Sequence, residues 1–419
     1  MESYVLIPCV MAALMAVPAV AQKKDNPVKQ EAVPTVEQLI WNYDFDRAVE
    51  MLQRDINSAR KAGKSTDLME EQLLRANLGA DMLRGTERIV FVDSFKVARS
   101  AVLETIHLTS ESGKWVSANT ATASLNMIDK TIGRTAYINE LNDRMIFSKS
   151  DSVNGPKHFF SAYRMGQKWE TPQPLEGISG EWTDCDNPFV MPDGVTLYFA
   201  AQGNESLGGY DLFVTRYNTE SKQFLKAENM GMPFNSPAND YMLAIDETAN
   251  LGWLVSDRFQ SPDSVCVYVF VPSESREIYE LTETTREHVK NVARLTSIAD
   301  TQYDKQEVAA ARRRMIEMFN HARNGKSLNH GFYVIDDKTV YTTLNDFRSD
   351  AARRIAEQSD VIKQQIDELL EKRDALQRLI AQGKRSTEVR NQLKQINQMI
   401  PELRERYRTL CKNMRKAEK

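Results

Sequence analysis

Two short stretches, EWTDCDNP (181–188) and FNSPANDY (234–241), hold the densest polar chemistry in the chain. Each sets carboxylates, carboxamides and an aromatic ring just before a run of strand-forming residues. Asp and Asn at loop ends offer donors and acceptors, and a neighbouring Trp or Tyr offers a flat apolar face. On a rigid sheet scaffold such loops suit recognition. The candidate binding residues are Trp182, Asp184, Asp186, Asn187, Asn235, Asn239, Asp240 and Tyr241. The same side chains also hydrogen-bond their own turns, and that structural use competes with the binding one. Asp184 and Asp186 alternate as calcium ligands do, but no EF-hand spacing surrounds them.

Catalytic patterns fail in turn. GISGE (177–181) lacks the G-x-S-x-G spacing of a nucleophile elbow. His107, His158, His288, His321 and His330 are scattered, with no HExxH. AGKST (62–66) invites a phosphate-loop reading, but Ser58 stands where that loop needs glycine. Neither CxxC nor paired Cys/His spacing occurs, so zinc has no support. Cys185 and Cys266 either pair across adjacent strands or stay as two buried thiols. The expectation is a chain with no catalytic residues, no cofactor and no metal, and therefore not an enzyme.

The elements that must position these loops follow from composition and period. The chain has 419 residues, 42% hydrophobic and 27% charged, with a formal charge of -4. Phosphate binding needs a basic surface, so nucleic acid is not an expected partner. Residues 1–21 form a short apolar run ending in Ala19-Val20-Ala21, a small-x-small cleavage pattern, and read as a signal peptide. The alternative is a retained anchor, against which Pro8, Pro18 and the shortness of the run argue. The absence of Lys or Arg before the run departs from the signal pattern. No later segment is apolar enough to span a bilayer. Residues 22–34 are a polar linker. From 35 to 84 apolar residues recur at helical spacing on either side of Gly63, which predicts a helical hairpin. YDFDRAVEML within it resembles part of a tetratricopeptide repeat.

From Arg88 the period changes to that of strands. Turn acids at Asp143, Asp193 and Asp246 precede strand-like runs, a period near fifty residues. Asp337 resumes the period once a helical insertion over 282–325 is removed. This predicts a β-propeller-like domain over 86–347 with about five repeats, counting RIVFVDSF (88–95) as a first partial blade. Residues 348–419 turn helical again. Leu393, Ile396, Ile400, Leu403, Tyr407 and Leu410 alternate steps of three and four, an a/d seam for a partner helix. QGKRS (382–386) favours an antiparallel hairpin over one rod, its seam either packed within the chain or open to a partner.

NPFVMPDGVTLYFAAQGNESLGGYDLFVTRYN (187–218) resembles the WD40-like repeat of the TolB-type β-propeller family, often written PD40. GMPFNSPANDYMLAIDE and SDRFQSPDSVCVYVF look like the next repeat, as found in cell-envelope proteins of Bacteroidetes. Some of those join helical repeats and PD40 blades to an OmpA-like domain, including parts of type IX secretion machinery. Here a helical C-terminus stands in place of that domain, so direct peptidoglycan binding is not carried over. The resemblance implies an exported protein, periplasmic or outer-membrane-associated. It implies a scaffold that binds other envelope proteins through rim loops and C-terminal helices. The alternative is a rim that binds a carbohydrate or peptidoglycan fragment, with Trp182 and Tyr241 as stacking platforms.

Overall fold

The computed structural model describes residues 34–419 apart from 128, 130, 153–154, 166–167, 176, 179–181, 219, 222, 274, 324–332, 336–338, 342 and 382–385. The expected leader (1–21), nearly all of the linker and the Asp336-Asp337 turn lie outside the described residues. The fold is mixed α/β, with several antiparallel sheets enclosed by helices.

Three larger sheets follow one another along the chain. Sheet I has strands Lys114–Ser117, Ile132–Ile138, Arg144–Ser150 and Lys157–Met165, with Lys168–Trp169 and Gln173–Pro174 at its outer edge. Sheet II has Trp182–Val190, Thr196–Gly203 and Asp211–Asn218, edged by Gln223–Phe224 and Glu228–Asn229. Sheet III has Asp240–Asp246, Leu251–Ser256 and Ser264–Val271, with Val90–Ala98 as its fourth strand. The hairpins form where the sequence provides turn chemistry. At Asp193-Gly194, Gly194 adopts φ +74, a conformation that a Cβ would strain. The Asp193 carboxylate accepts the Val195 and Thr196 amides, each at 2.9 Å, and the Thr196 hydroxyl at 2.6 Å.

Alternation puts both faces of each sheet to use. In sheet I, Tyr137, Ile146 and Phe159 face sheet II, while Ala136, Met145 and Phe147 pack with the Ala118–Leu125 helix. Phe159 meets Phe199 at 5.2 Å, and Phe189 meets Trp115 and Tyr137 at 5.4 and 5.3 Å, which joins sheets I and II. On the far side of sheet III, Trp253 and Phe95 pack on Phe319 of the Lys305–Arg323 helix. The sheets thus form a stack with a helix against the outer face at each end. Each fully buried Phe or Leu in it contributes roughly 1.5–3 kcal/mol of apolar transfer.

Two repeat assignments are corrected. RIVFVDSF does not begin a blade of its own. It pairs antiparallel with Ser264–Val271, from Val90↔Val271 to Ala98↔Ser264. The free edge of Ser264–Val271, rich in Val and aromatics, provides a cross-strand row that the short helices after Ala98 do not. Among the described residues the late repeat makes a two-stranded ribbon, Tyr333↔Tyr341 and Val334↔Val340. That ribbon packs with Phe347, Ala352 and Met414 of the C-terminal region. Five blades are therefore not formed among the described residues. Cys185 and Cys266 are buried free thiols, so the pairing alternative falls away.

The flanking helices bury complementary faces. Phe45–Lys61 and Asp67–Arg84 form the N-terminal hairpin, with Gly79 in close contact with the Phe45 ring. It packs on Leu207, Met232, Val289 and Ala293. Asp350–Ala381 and Thr387–Glu418 form the C-terminal hairpin. Ile396 and Ile400 meet Leu376, and Met414 meets Ala352 and Ala356, so the helices run antiparallel. The heptad seam is engaged inside the chain, with Ile396 and Ile400 buried and Leu393, Leu403, Tyr407 and Leu410 half-buried. Among the described residues no helix is long and apolar enough to cross a membrane.

The first strands of sheets II and III, and Ile132–Ile138 of sheet I, all end at the same rim, in the turns carrying Asp143, Asp193 and Asp246. The C-terminal hairpin lies over that rim. Arg404 pairs with Glu140, Lys363 pairs with Glu111 at 3.1 Å, and Leu141 packs against the Leu376–Ile400 cluster. The opposite rim, where those strands begin, is the one that carries the sequence's candidate loops.

Candidate binding rim

At this second rim the candidate residues divide by depth. Asp186, Asn187, Asn235 and Asp240 are buried, at 0–3% exposure. Asn187 sits in a β-bulge with φ 52 and ties all three sheets together. Its Oδ1 accepts Thr135 Oγ1 from sheet I at 3.0 Å, and its Nδ2 donates to Tyr241 O of sheet III at 2.9 Å. Asp186 accepts the Arg134 amide at 2.8 Å and Ser148 Oγ at 3.0 Å. Asn235 exchanges hydrogen bonds with the Leu212 backbone at 2.7 and 2.9 Å. Asp240 accepts from Arg258 at 2.6 Å, and both side chains are almost wholly buried. These four residues hold the joints of the scaffold rather than its surface, as the competing structural use of such side chains anticipates.

Asp184, Asn239 and Tyr241 come together nearer the surface, with residues that no motif had singled out. Tyr210 and Tyr241 lie 5.8 Å apart, their planes tilted by 43°. The Arg134 guanidinium stands over both rings, at 5.3 and 5.0 Å, and Arg99 stands over Tyr241 at 5.0 Å. The phenols donate to carboxylates: Tyr210 to Asp184, and Tyr241 to Asp257 at 2.9 Å. Lys157 pairs with Asp184 at 2.8 Å and Arg99 with Asp257 at 2.8 Å. Asn239 donates to Asp257 through its amide and its Nδ2, at 2.8 and 3.0 Å. The result is a ladder of alternating cations, rings and anions across the ends of the three sheets.

Its electrostatics suit holding rather than reacting. Burial, with the Asp184 carboxylate beside it, pushes the Tyr210 phenol far above its ordinary value. Burial also raises Tyr241. Burial pushes Asp257 up, but the Asn239 amide, Arg99 and Tyr241 outweigh it and leave the carboxyl below its usual range. The phenols stay neutral and Asp257 stays ionised through the physiological range. Neither is placed to move a proton at neutral pH. Among the described residues, no group of three or more His, Cys, Asp or Glu gathers to hold a metal.

Arg134 is the exception to the pairing. Its side chain is exposed, and among the described residues no carboxylate pairs with its guanidinium. The aromatic faces are differently placed. The Tyr241 ring carries two guanidinium groups and is 8% exposed. Trp182 packs on Phe199 and Phe213 at 5.1 and 5.7 Å. The Tyr241 ring is thus covered, while Trp182 stays half-buried. Arg134, Arg99 and Tyr210 carried little sequence signal, because stacking across three sheets joins residues far apart in the chain. Compared with known protein families, curated proteins and solved structures, the chain matches none.

Proposed function

We propose that the chain is a non-catalytic interaction module of the cell envelope that binds other envelope proteins through this open rim. The observation that carries the reading is Arg134: an exposed guanidinium preorganised over two tyrosines, with no carboxylate paired to it among the described residues. Arg and Tyr at the centre of a rigid patch are the residue types that dominate protein-protein binding energy. Cation-ring stacking fixes the side chain before binding, which reduces the ordering cost of association. The rival sugar-binding reading is less favoured because two guanidinium groups cover the Tyr241 ring.

The three sheets are read as blades of a reduced, PD40-like propeller of the TolB type, with helices in place of further blades. That resemblance and the leader over 1–21 support an exported, periplasmic or outer-membrane-associated location. The heptad seam is engaged internally, so the C-terminal hairpin acts as a cover on one rim and leaves the other for partners. The test is crosslinking in intact source cells followed by affinity purification and mass spectrometry, with wild type beside Arg134→Ala. Defined envelope proteins captured by wild type and lost with Arg134→Ala support the reading. The same set captured by both, or no envelope protein captured by either, overturns it.

A further inference from the structure

A cavity of about 350 Å³ lies between the covered rim and the C-terminal helix above it. Its floor is made by the hairpin turns of sheets I and II, and Arg404, Glu405 and Arg408 form its roof. One wall is apolar, built from Leu141, Ile146, Val190, Met191 and Pro192. Enclosures of roughly 300–1,000 Å³ with apolar walls and a few converging polar groups are the usual shape of small-molecule sites.

Three arginines and three acids line the space, and the acids are unequally engaged. Asp193 accepts three hydrogen bonds from the donors of its own turn. Glu140 pairs with Arg404. Glu405 reaches Arg408 only at 3.7 Å and is 73% exposed. Glu247, on the third turn, also acts on Arg408. Arg144 has no such partner among the described residues. Its guanidinium lies over the Tyr163 ring at 5.6 Å, and its buried Nε meets no acceptor. That Nε is closed off from the cavity, so Arg144 meets a ligand there only through the terminal nitrogens of its guanidinium.

We propose that this cavity binds a small carboxylate with an apolar body. The carboxylate meets Arg144 and Arg408, and the body lies along Val190, Met191 and Pro192. Guanidinium groups match carboxylate geometry with two charge-assisted hydrogen bonds, and the apolar wall selects an organic acid over an inorganic anion. Arg144 is the discriminating group, because Arg408 already has acids near it.

The test is titration calorimetry of the full chain with 3-phenylpropionate, 3-phenylpropanamide and inorganic phosphate. The carboxylate is expected to bind, the amide to bind at least tenfold more weakly, and phosphate not to displace the carboxylate. Arg144→Gln is expected to weaken the carboxylate at least tenfold while leaving the amide unchanged. Should that variant fail to fold, Arg408→Gln, whose side chain is a third exposed, gives the second reading with the same expectation for the carboxylate. Equal affinity for acid and amide overturns the proposal. So does displacement by phosphate, the absence of binding at millimolar carboxylate, or unchanged binding in the folded variants.

Discussion

Asp240→Asn should be among the most damaging single-atom changes available to this fold. Arg258 is 1% exposed and Asp240 0%, and they meet at 2.6 Å. Removing one member of a buried ion pair leaves the other charge uncompensated, at about 3–5 kcal/mol. Arg258 keeps other acceptors: Pro233 O at 2.9 Å, Phe234 O at 2.7 Å and Ser256 Oγ at 3.0 Å. That support places the loss near the lower end, at about 3 kcal/mol. Asp240 also accepts the Ser236 amide and hydroxyl at 2.7 and 2.9 Å. Exchanging an ionised acceptor for a neutral one there adds about 0.5–1 kcal/mol. Urea unfolding followed by tryptophan fluorescence measures the sum, because Trp253 lies in the same sheet. The Asp240→Leu/Arg258→Met double variant should recover most of the loss, since the pair's own desolvation offsets much of its attraction. A single variant within 1 kcal/mol of wild type, or a double variant no better than the single, would refute this account.

Two further outcomes follow from the buried polar groups. Burial pushes the Asp211 carboxyl up to about 7, against its ordinary value of 3.8. The folded state then holds that proton more tightly than the unfolded chain, so stability is greatest below the unfolded pKa and falls as pH rises through the folded one. Asp211→Asn should flatten this decline between about pH 4 and pH 7, a span worth roughly 4 kcal/mol by linkage; unchanged pH dependence in that variant counts against it. Asn187→Ala removes two inter-sheet hydrogen bonds and puts alanine at positive φ, which should cost about 2–4 kcal/mol. Asn187→Gly should cost less than Asn187→Ala in the same unfolding experiment, and the reverse order would deny the backbone share.

The sequence was legible where local chemistry decides structure. The helical hairpins, the Asp193-Gly194 turn and the strands of sheets II and III follow from period, caps and turn residues. Counting repeats failed where a distant partner decides. Val90–Ala98 looks like the start of a blade because it alternates, and alternation does not reveal which edge it joins. The heptad spacing of Leu393 to Leu410 announces a seam equally well whether its partner is another protein or residues 350–381 of the same chain. At the rim, Asp186, Asn187, Asn235 and Asp240 were conspicuous for a structural reason, since the strand starts and the loop at a three-sheet junction need buried carboxylates and carboxamides. Arg134 was inconspicuous because a single arginine in a strand gives no clue that two tyrosines lie beneath it.

The closing strand of sheet III also fixes an order of events during synthesis. Val90–Ala98 emerges from the ribosome long before Ser264–Val271, its only sheet partner among the described residues. Until then it is an apolar edge with unmet amides and carbonyls, able to template pairing with other chains. Pairings so distant along the chain close slowly. A fragment ending before Ser264 therefore cannot complete this sheet, and it leaves an aggregation-prone strand exposed. The exposure of that strand during synthesis is set by chain topology, independent of what the finished rims bind.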